Sequence, residues 1–228
     1  MFPSVEALDT MTYKDPMAQK SAANAKVSYV HVPKLEQTND KLMFQMSEDE
    51  KTNTQKIIFG LSTPLPGQDS SKRSLDLTIE SPELLLFLKE LDRKNVEATK
   101  KNKESWFKKP PSDAEIDHMY IPLVKENGEY KESVKIKIRC EYNATNIYIV
   151  DEQKNNSVYY SNGNLNHLEK NAKVMVIVET PGLWFINKQF GMSLNASQIL
   201  VWPAKHKTGL ASFTFKNGHQ ALPSTNLE

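Results

Sequence analysis

The sequence predicts a mainly β protein of the α+β type: a small antiparallel barrel or sandwich with a helical insertion and loose ends. Three observations predict it. Short β-rich runs crowd the second half, at 134–140, 146–150, 157–161, 173–179, 184–187 and 197–202, with turn residues between them at 155–156, 162–164 and 181–182. Upstream, Leu84, Leu88, Leu91, Ala98 and Trp106 recur at helical spacing and define one apolar stripe. Both ends are polar and offer little apolar material to bury.

Taken in order, residues 1–55 read as a poorly ordered N-terminal extension in which 27–32 and 42–46 have the pattern of short added strands. The body spans 56–203. Its first β run, Ile57-Ile58-Phe59-Gly60-Leu61, stops at Pro64-Leu65-Pro66-Gly67, and Leu75, Leu77 and Ile79 then alternate with Ser74, Asp76 and Thr78 as in a half-buried strand. Ser81-Pro82 supplies an N-cap and a proline at the first helical position, so a long helix is expected from 82 to 109, ended by Pro110-Pro111. Ser112 with Glu115 forms a capping box for a second, short helix to about Tyr120, so the helical insertion occupies 82–120. After Pro203, residues 204–228 read as a flexible basic tail.

Composition narrows the function. At 228 residues, 39% hydrophobic and 25% charged, the chain falls with ordinary soluble globular proteins. No run is apolar and long enough to span a bilayer, and Met1-Phe2-Pro3-Ser4-Val5-Glu6 lacks the basic-then-apolar order of a secretory leader, so an intracellular protein is expected. A lone cysteine, Cys140, excludes an internal disulfide and any zinc site needing two thiolates. The net charge of +1 is unevenly spread: residues 1–50 hold five Lys/Arg against eight Asp/Glu, and 203–228 hold three against one. Such balances leave room only for a local basic patch as a polyanion site.

Catalytic signatures are missing. No glycine loop for phosphates, no Gly-x-Ser-x-Gly elbow and no His-Glu-x-x-His occur, so neither an enzyme nor a cofactor is expected. Asp113, Asp117 and His118 form an acidic cluster, but acids beside a helix N-terminus suit the macrodipole without any metal, and no metal site is expected.

Val134-Lys135-Ile136-Lys137-Ile138-Arg139-Cys140 carries more information. As a strand it sends its apolar residues to one face and Lys135, Lys137 and Arg139 to the other, with cations about 6.6–6.8 Å apart, close to the phosphate spacing of an extended single strand. A solvated outer face is the plain alternative. Lys89, Arg93, Lys100 and Lys103 make a second basic surface on the long helix, and Lys108 and Lys109 close it. Tyr142, Tyr148, Tyr159, Tyr160, Trp184 and Phe185 fall among the β runs, where aromatic rings beside a basic groove suit base stacking. Of each adjacent pair, Tyr159-Tyr160 and Trp184-Phe185, one ring must turn inward.

Phe59-Gly60-Leu61-Ser62-Thr63-Pro64, Arg73-Ser74-Leu75-Asp76-Leu77, Trp106-Phe107-Lys108-Lys109, Gly182-Leu183-Trp184-Phe185 and Phe190-Gly191-Met192-Ser193 carry a further resemblance. In that order the chain resembles the single-stranded DNA-binding proteins of large nucleocytoplasmic DNA viruses, a group similar to those of short-tailed phages. The resemblance covers about residues 56–202. It implies an OB-fold barrel with a helical insertion, single-stranded DNA as partner, work in replication, recombination or repair beside replication proteins, compatibility with a homo-oligomer, and no catalysis. The phage-type acidic C-terminus has no counterpart, because Lys205, Lys207 and Lys216 face only Glu228. The rival reading is a scaffolding module of a virion or replication assembly.

Overall fold

The structure is a computed structural model, which describes residues 4–13, 17–19, 28–31, 33–35, 42–48, 54–64, 67, 71–107, 109–140, 145–151, 159–186 and 188–204. A 3-10 turn (Glu6–Thr10) precedes strands β1 (Met11–Tyr13), β2 (Met17–Gln19), β3 (Ser28–His31), β4 (Pro33–Leu35), β5 (Leu42–Gln45), β6 (Gln55–Lys56) and β7 (Lys72–Thr78). Helices α1 (Pro82–Lys101), α2 (Lys103–Trp106) and α3 (Asp113–Met119) follow. The remaining strands are β8 (Tyr120–Ile121), β9 (Val124–Asn127), β10 (Tyr130–Arg139), β11 (Asn146–Asp151), β12 (Tyr159–Asn162), β13 (Lys173–Thr180), β14 (Leu183–Ile186), β15 (Gln189–Met192) and β16 (Leu194–Trp202).

Five of these strands close a ring. β7 and β10 pair antiparallel over seven positions, from Ser133 opposite Thr78 to Arg139 opposite Lys72. β10 then meets β16 in parallel through Ile136–Leu194 and Lys137–Asn195. β16 pairs antiparallel with β13, β13 with β6, and an Ile57–Leu77 bridge returns the ring to β7. The ring order β6-β7-β10-β16-β13, closed by one parallel contact, is the connectivity of the OB-fold. The helices are inserted between the second and third barrel strands, and the β14–β15 hairpin between the fourth and fifth. Strand β16 bends at Ser197, the extra residue between Ala196 opposite Val178 and Gln198 opposite Ile177, and a bulge of this kind supplies the curvature that closure needs.

Alternation decides what fills the barrel. Leu75 and Leu77, Val134, Ile136 and Ile138, Val174, Val176 and Val178, and Ile199 and Val201 are all buried in one continuous core. Ser81 caps α1 by accepting from the Leu84 N–H, and Ser112 and Glu115 form the expected capping box on α3. The long helix is shorter than expected: Asn102 leaves helical geometry and separates α1 from α2. The expected stripe is also wider than leucine. Phe87, Asp92, Asn95 and Thr99 are buried with Leu84, Leu88 and Leu91, whereas Ala98 is only half-buried. None of the helices among the described residues is long and apolar enough to cross a membrane.

The N-terminal extension is not uniformly loose. Leu8, Leu42, Phe44 and Met46 are core residues, and β5 pairs with β13 from Gln45–Ile177 to Leu42–Thr180. Phe44 meets Phe87 of α1 edge-on at 5.0 Å. The physical reason is that β13, with β16 on one edge, leaves the other edge open beyond the short β6, and β5 covers it. Of the expected tail, 205–228 lies outside the described residues.

A buried polar network ties α1 to its surroundings. The Tyr13 hydroxyl donates to Asn95 Oδ1 at 2.8 Å, and Asn95 Nδ2 donates to the Tyr120 hydroxyl at 3.2 Å. Tyr120 in turn donates to Asp92 Oδ1 at 2.5 Å, and the Leu123 N–H donates to both Asp92 oxygens. Burial pushes the Asp92 carboxyl up to about 6, against the downward pull of these donors. Because its folded value lies above the unfolded one, protonated Asp92 favours the folded state, and that contribution is lost as pH rises from about 4 to about 6. D92N keeps the shape without titrating. Across that interval the wild-type unfolding free energy should fall by about 3 kcal/mol relative to D92N, and stay parallel to it above the interval. Urea titrations at a series of pH values check this, and parallel curves throughout would contradict it.

Candidate nucleic-acid interface

The expected basic strand lies within β10, the third strand of the barrel. Val134, Ile136 and Ile138 point into the core, so Lys135, Lys137 and Arg139 line the outer surface and all three are exposed. Register extends this surface to β7, with Asp76 opposite Lys135, Ser74 opposite Lys137 and Lys72 opposite Arg139. On the other edge of β10, Asn195 lies opposite Lys137 and Lys125 of β9 opposite Ser133. Lys125, Lys135 and Asp76 interact: Asp76 is 3.2 Å from the Lys125 ammonium and 3.9 Å from that of Lys135. Lys137 and Arg139 have no ion pair among the described residues. Although the residue is exposed overall, neighbouring atoms partly desolvate the Lys137 ammonium, and this, followed by the like charge of Lys72, lowers its pKa below the ordinary lysine value. An anion placed there would relieve both effects.

The second expected surface behaves differently. Lys89 pairs with Glu126 at 3.2 Å, Arg93 with Glu90 and Glu97, Lys100 with Asp117 at 2.7 Å and Lys103 with Asp113 at 2.8 Å. Each of these four helix cations is therefore neutralised within the fold, and two of the partners belong to the acidic cluster of α3. Lys109 is exposed just beyond α2, and Lys108 lies outside the described residues. The helix face is thus a network of intramolecular pairs, each worth roughly 0.2–1 kcal/mol at an exposed site, which any anion binding there would have to break.

The aromatic candidates divide. Phe185 is buried and stacks on Phe190 at 5.1 Å, with Trp106 and Phe107 edge-on at 6.1 and 5.6 Å. It is a core ring, closed to any ligand, because alternation on β14 sends it inward with Leu183. Trp184 is the outward member and stays half-buried, its ring lying over Gly191. A Cβ at Gly191 would sit 3.0 Å from the indole Cζ2 and 2.8 Å from the Ile121 carbonyl, so only glycine leaves the ring its place. Tyr148 is half-buried on β11, opposite Leu200, on the side away from the inward-facing Ile147. In β12, Tyr160 pairs by backbone with Val150 and Tyr159 with Asp151, and the side chains of both tyrosines lie outside the description. Tyr142 also lies outside the described residues.

Five residues escaped the sequence reading. Lys72, Asp76 and Lys125 join the basic face only through strand register. Phe59, 76% exposed, stands in the loop between the first two barrel strands, and Tyr130, 82% exposed, stands at the β9–β10 turn. Phe59 precedes Gly60, whose φ of +85° favours glycine. The Ile58 N–H donates to the Asp76 carbonyl and the Ser62 N–H to the Ser74 carbonyl, so this loop runs along the free edge of β7. The signal available for Phe59 was an aromatic residue before a glycine at the end of a β run.

Fold and face together define an OB-barrel protein with a basic outer surface on its second and third strands. The chain belongs to a family of unknown function, DUF5871, which matches residues 66–215. No curated protein matches it in sequence. Among solved structures it is similar to the single-stranded DNA-binding protein from bacteriophage Enc34 in complex with ssDNA, at 10% identity and a TM-score of 0.43, covering 84% of this chain and 100% of that one. A C-terminal truncation of the Enc34 protein gives 10% identity and 0.42, over 84% and 96%. The gp2.5 single-stranded DNA binding protein encoded by bacteriophage T7 gives 15% identity and 0.43, over 80% and 100%. The barrel assignment itself rests on the strand pairing of this chain.

If the β10 face holds an extended polyanion, replacing Lys135, Lys137 and Arg139 together by Gln should lower the log–log salt slope of oligonucleotide binding by about 1.4 to 2, at roughly 0.7 per phosphate contact, the smaller figure if Asp76 already holds Lys135. The same replacement at Lys89, Arg93 and Lys100 should leave the slope unchanged. Fluorescence anisotropy at several salt concentrations, on variants with native circular dichroism, distinguishes the two surfaces. An equal effect of the two triples would contradict the assignment.

Proposed function

We propose that this protein is a non-catalytic single-stranded DNA-binding protein that grips the backbone across the outer face of β7 and β10. One observation carries the reading: Lys137 and Arg139, at the middle and end of that face, carry positive charge with no carboxylate partner among the described residues, while Lys89, Arg93, Lys100 and Lys103 of the helices are each paired. In OB barrels the face of strands two and three, with the loops joining strands one to two and four to five, is the surface that takes oligonucleotides. Both loops here present rings, Phe59 in the first and Trp184 in the second. Bases of a single strand stack on such rings, whereas a duplex keeps its bases occupied with one another.

The finer reading follows the motif resemblance to proteins of large nucleocytoplasmic DNA viruses. It is a role in DNA replication, recombination or repair at an intracellular site, with replication proteins as further partners. The scaffold alternative is favoured by one feature, the exposed Ile121 and Ile186 flanking Trp184 in the β14-β15-β8 sheet.

Binding to oligothymidylate and to a duplex of equal length separates the readings. Single-strand affinity should exceed duplex affinity by at least about tenfold, since base–ring stacking contributes roughly 1–3 kcal/mol per base. Phe59→Ala and Trp184→Ala should each weaken single-strand binding and leave the salt slope as it was. Equal affinity for both forms, or no binding at low salt, would sink the proposal and leave the scaffold.

A further inference from the structure

The basic face contains a feature that simple polyanion binding does not require. Strands β7, β9 and β10 bring Lys72, Lys125, Lys135, Lys137 and Arg139 to it, and among the described residues they add one carboxylate, Asp76. Asp76 stands opposite Lys135 on the neighbouring strand. Its two oxygens divide between two partners, Oδ1 lying 3.2 Å from Lys125 and Oδ2 3.9 Å from Lys135. Both lysine side chains stay about half exposed, at 49% and 48%, so solvent and solutes reach them. The face is thus divided along β10. Towards Ser133, Lys125 and Lys135 are held by a protein anion, and towards the other end Lys137 and Arg139 have no carboxylate partner among the described residues.

We propose that Asp76 is a resident anion of this interface, occupying the place of a backbone phosphate at the Lys125–Lys135 end until DNA displaces it. The inference rests on the reading of the face as a single-strand site and goes beyond it by assigning a competitor built into the protein. Two consequences follow from electrostatics. A single strand is gripped first at Lys137 and Arg139, where no pair has to break. Contacts at Lys125 and Lys135 form only by exchanging one anion for another, which releases fewer counterions and yields a smaller salt dependence than the number of lysines implies. A fixed carboxylate also repels any polyanion that does not follow the groove closely enough to bring phosphates to both lysines.

The test is a set of Gln substitutions in wild-type and Asp76→Asn backgrounds, titrated with labelled oligothymidylate at several salt concentrations. In the wild type, Lys135→Gln should cost less than Lys137→Gln in both affinity and salt slope. D76N should bind about 3- to 10-fold more tightly at low salt, and its slope should steepen by up to about 1.4, or 0.7 for each released lysine. In D76N the costs of Lys135→Gln and Lys137→Gln should become equal. Should D76N fail to fold, the ranking of the two lysine variants in the wild-type chain still decides. A wild type that binds oligothymidylate while D76N binds it no more tightly, or a Lys135→Gln cost equal to that of Lys137→Gln in the wild type, overturns the competitor and leaves the site reading standing. A wild type that binds no oligothymidylate overturns both.

Discussion

Closure of the barrel depends on a short seam. Two junctions of the five-strand ring are long antiparallel pairings, β7–β10 and β13–β16. By contrast, β13 meets β6 over two positions, Ile57–Leu77 bridges back to β7, and β10 and β16 meet in parallel over only Ile136–Leu194 and Lys137–Asn195. The seam agrees with the seven-position pairing to β7 in the register of β10, and the side-chain period of two makes the register consequential. A shift by one residue would send Lys135, Lys137 and Arg139 into the core and Val134, Ile136 and Ile138 into water. Burial of the three apolar residues, at roughly 1.5–3 kcal/mol each, excludes the alternative far more firmly than any surface charge could. The basic face therefore follows from packing on its opposite side.

The two sets of cations show what separates a binding surface from an ordinary one. Both have comparable density in the sequence. On α1 and α2, Lys89, Arg93, Lys100 and Lys103 each meet an acid from the same helix, from α3 or from β9, through i,i+3 and i,i+4 spacing or through packing of the helices. On β10 the cross-strand neighbours of Lys137 are Ser74 and Asn195, which are neutral. Charge left unneutralised by its own fold is a property of neighbours, and neighbours across a sheet come from distant parts of the chain.

That distinction also explains what could be read in advance. The strand around Lys137, the half-buried strand before the helix, the Ser81–Pro82 start and the Ser112–Glu115 box are local signals, and each stands in the structure where the local pattern put it. The pairing of Lys100 with Asp117 across 17 positions, the burial of Phe185 under Trp106 and Phe190, and the capture of Leu42 and Phe44 by β13 are long-range events without a local signature. Residues 42–46 do alternate, but a short alternation in a polar context does not reveal that a distant strand has an edge to fill. Asn95 illustrates the same limit: a polar residue on the helix stripe reads as a flaw until Tyr13 and Tyr120 supply its partners.

Lysine footprinting tests the central claim most directly, because it reads every amine in the folded chain at once. Acylation of the protein with and without saturating oligothymidylate, mapped by mass spectrometry, should show protection concentrated at Lys72, Lys135 and Lys137, with Lys89, Lys100 and Lys103 reacting as they do in the free protein. Protection of the helix lysines with an unprotected Lys137 would contradict the account, since it would place the strand on the surface whose charges the fold has already paired.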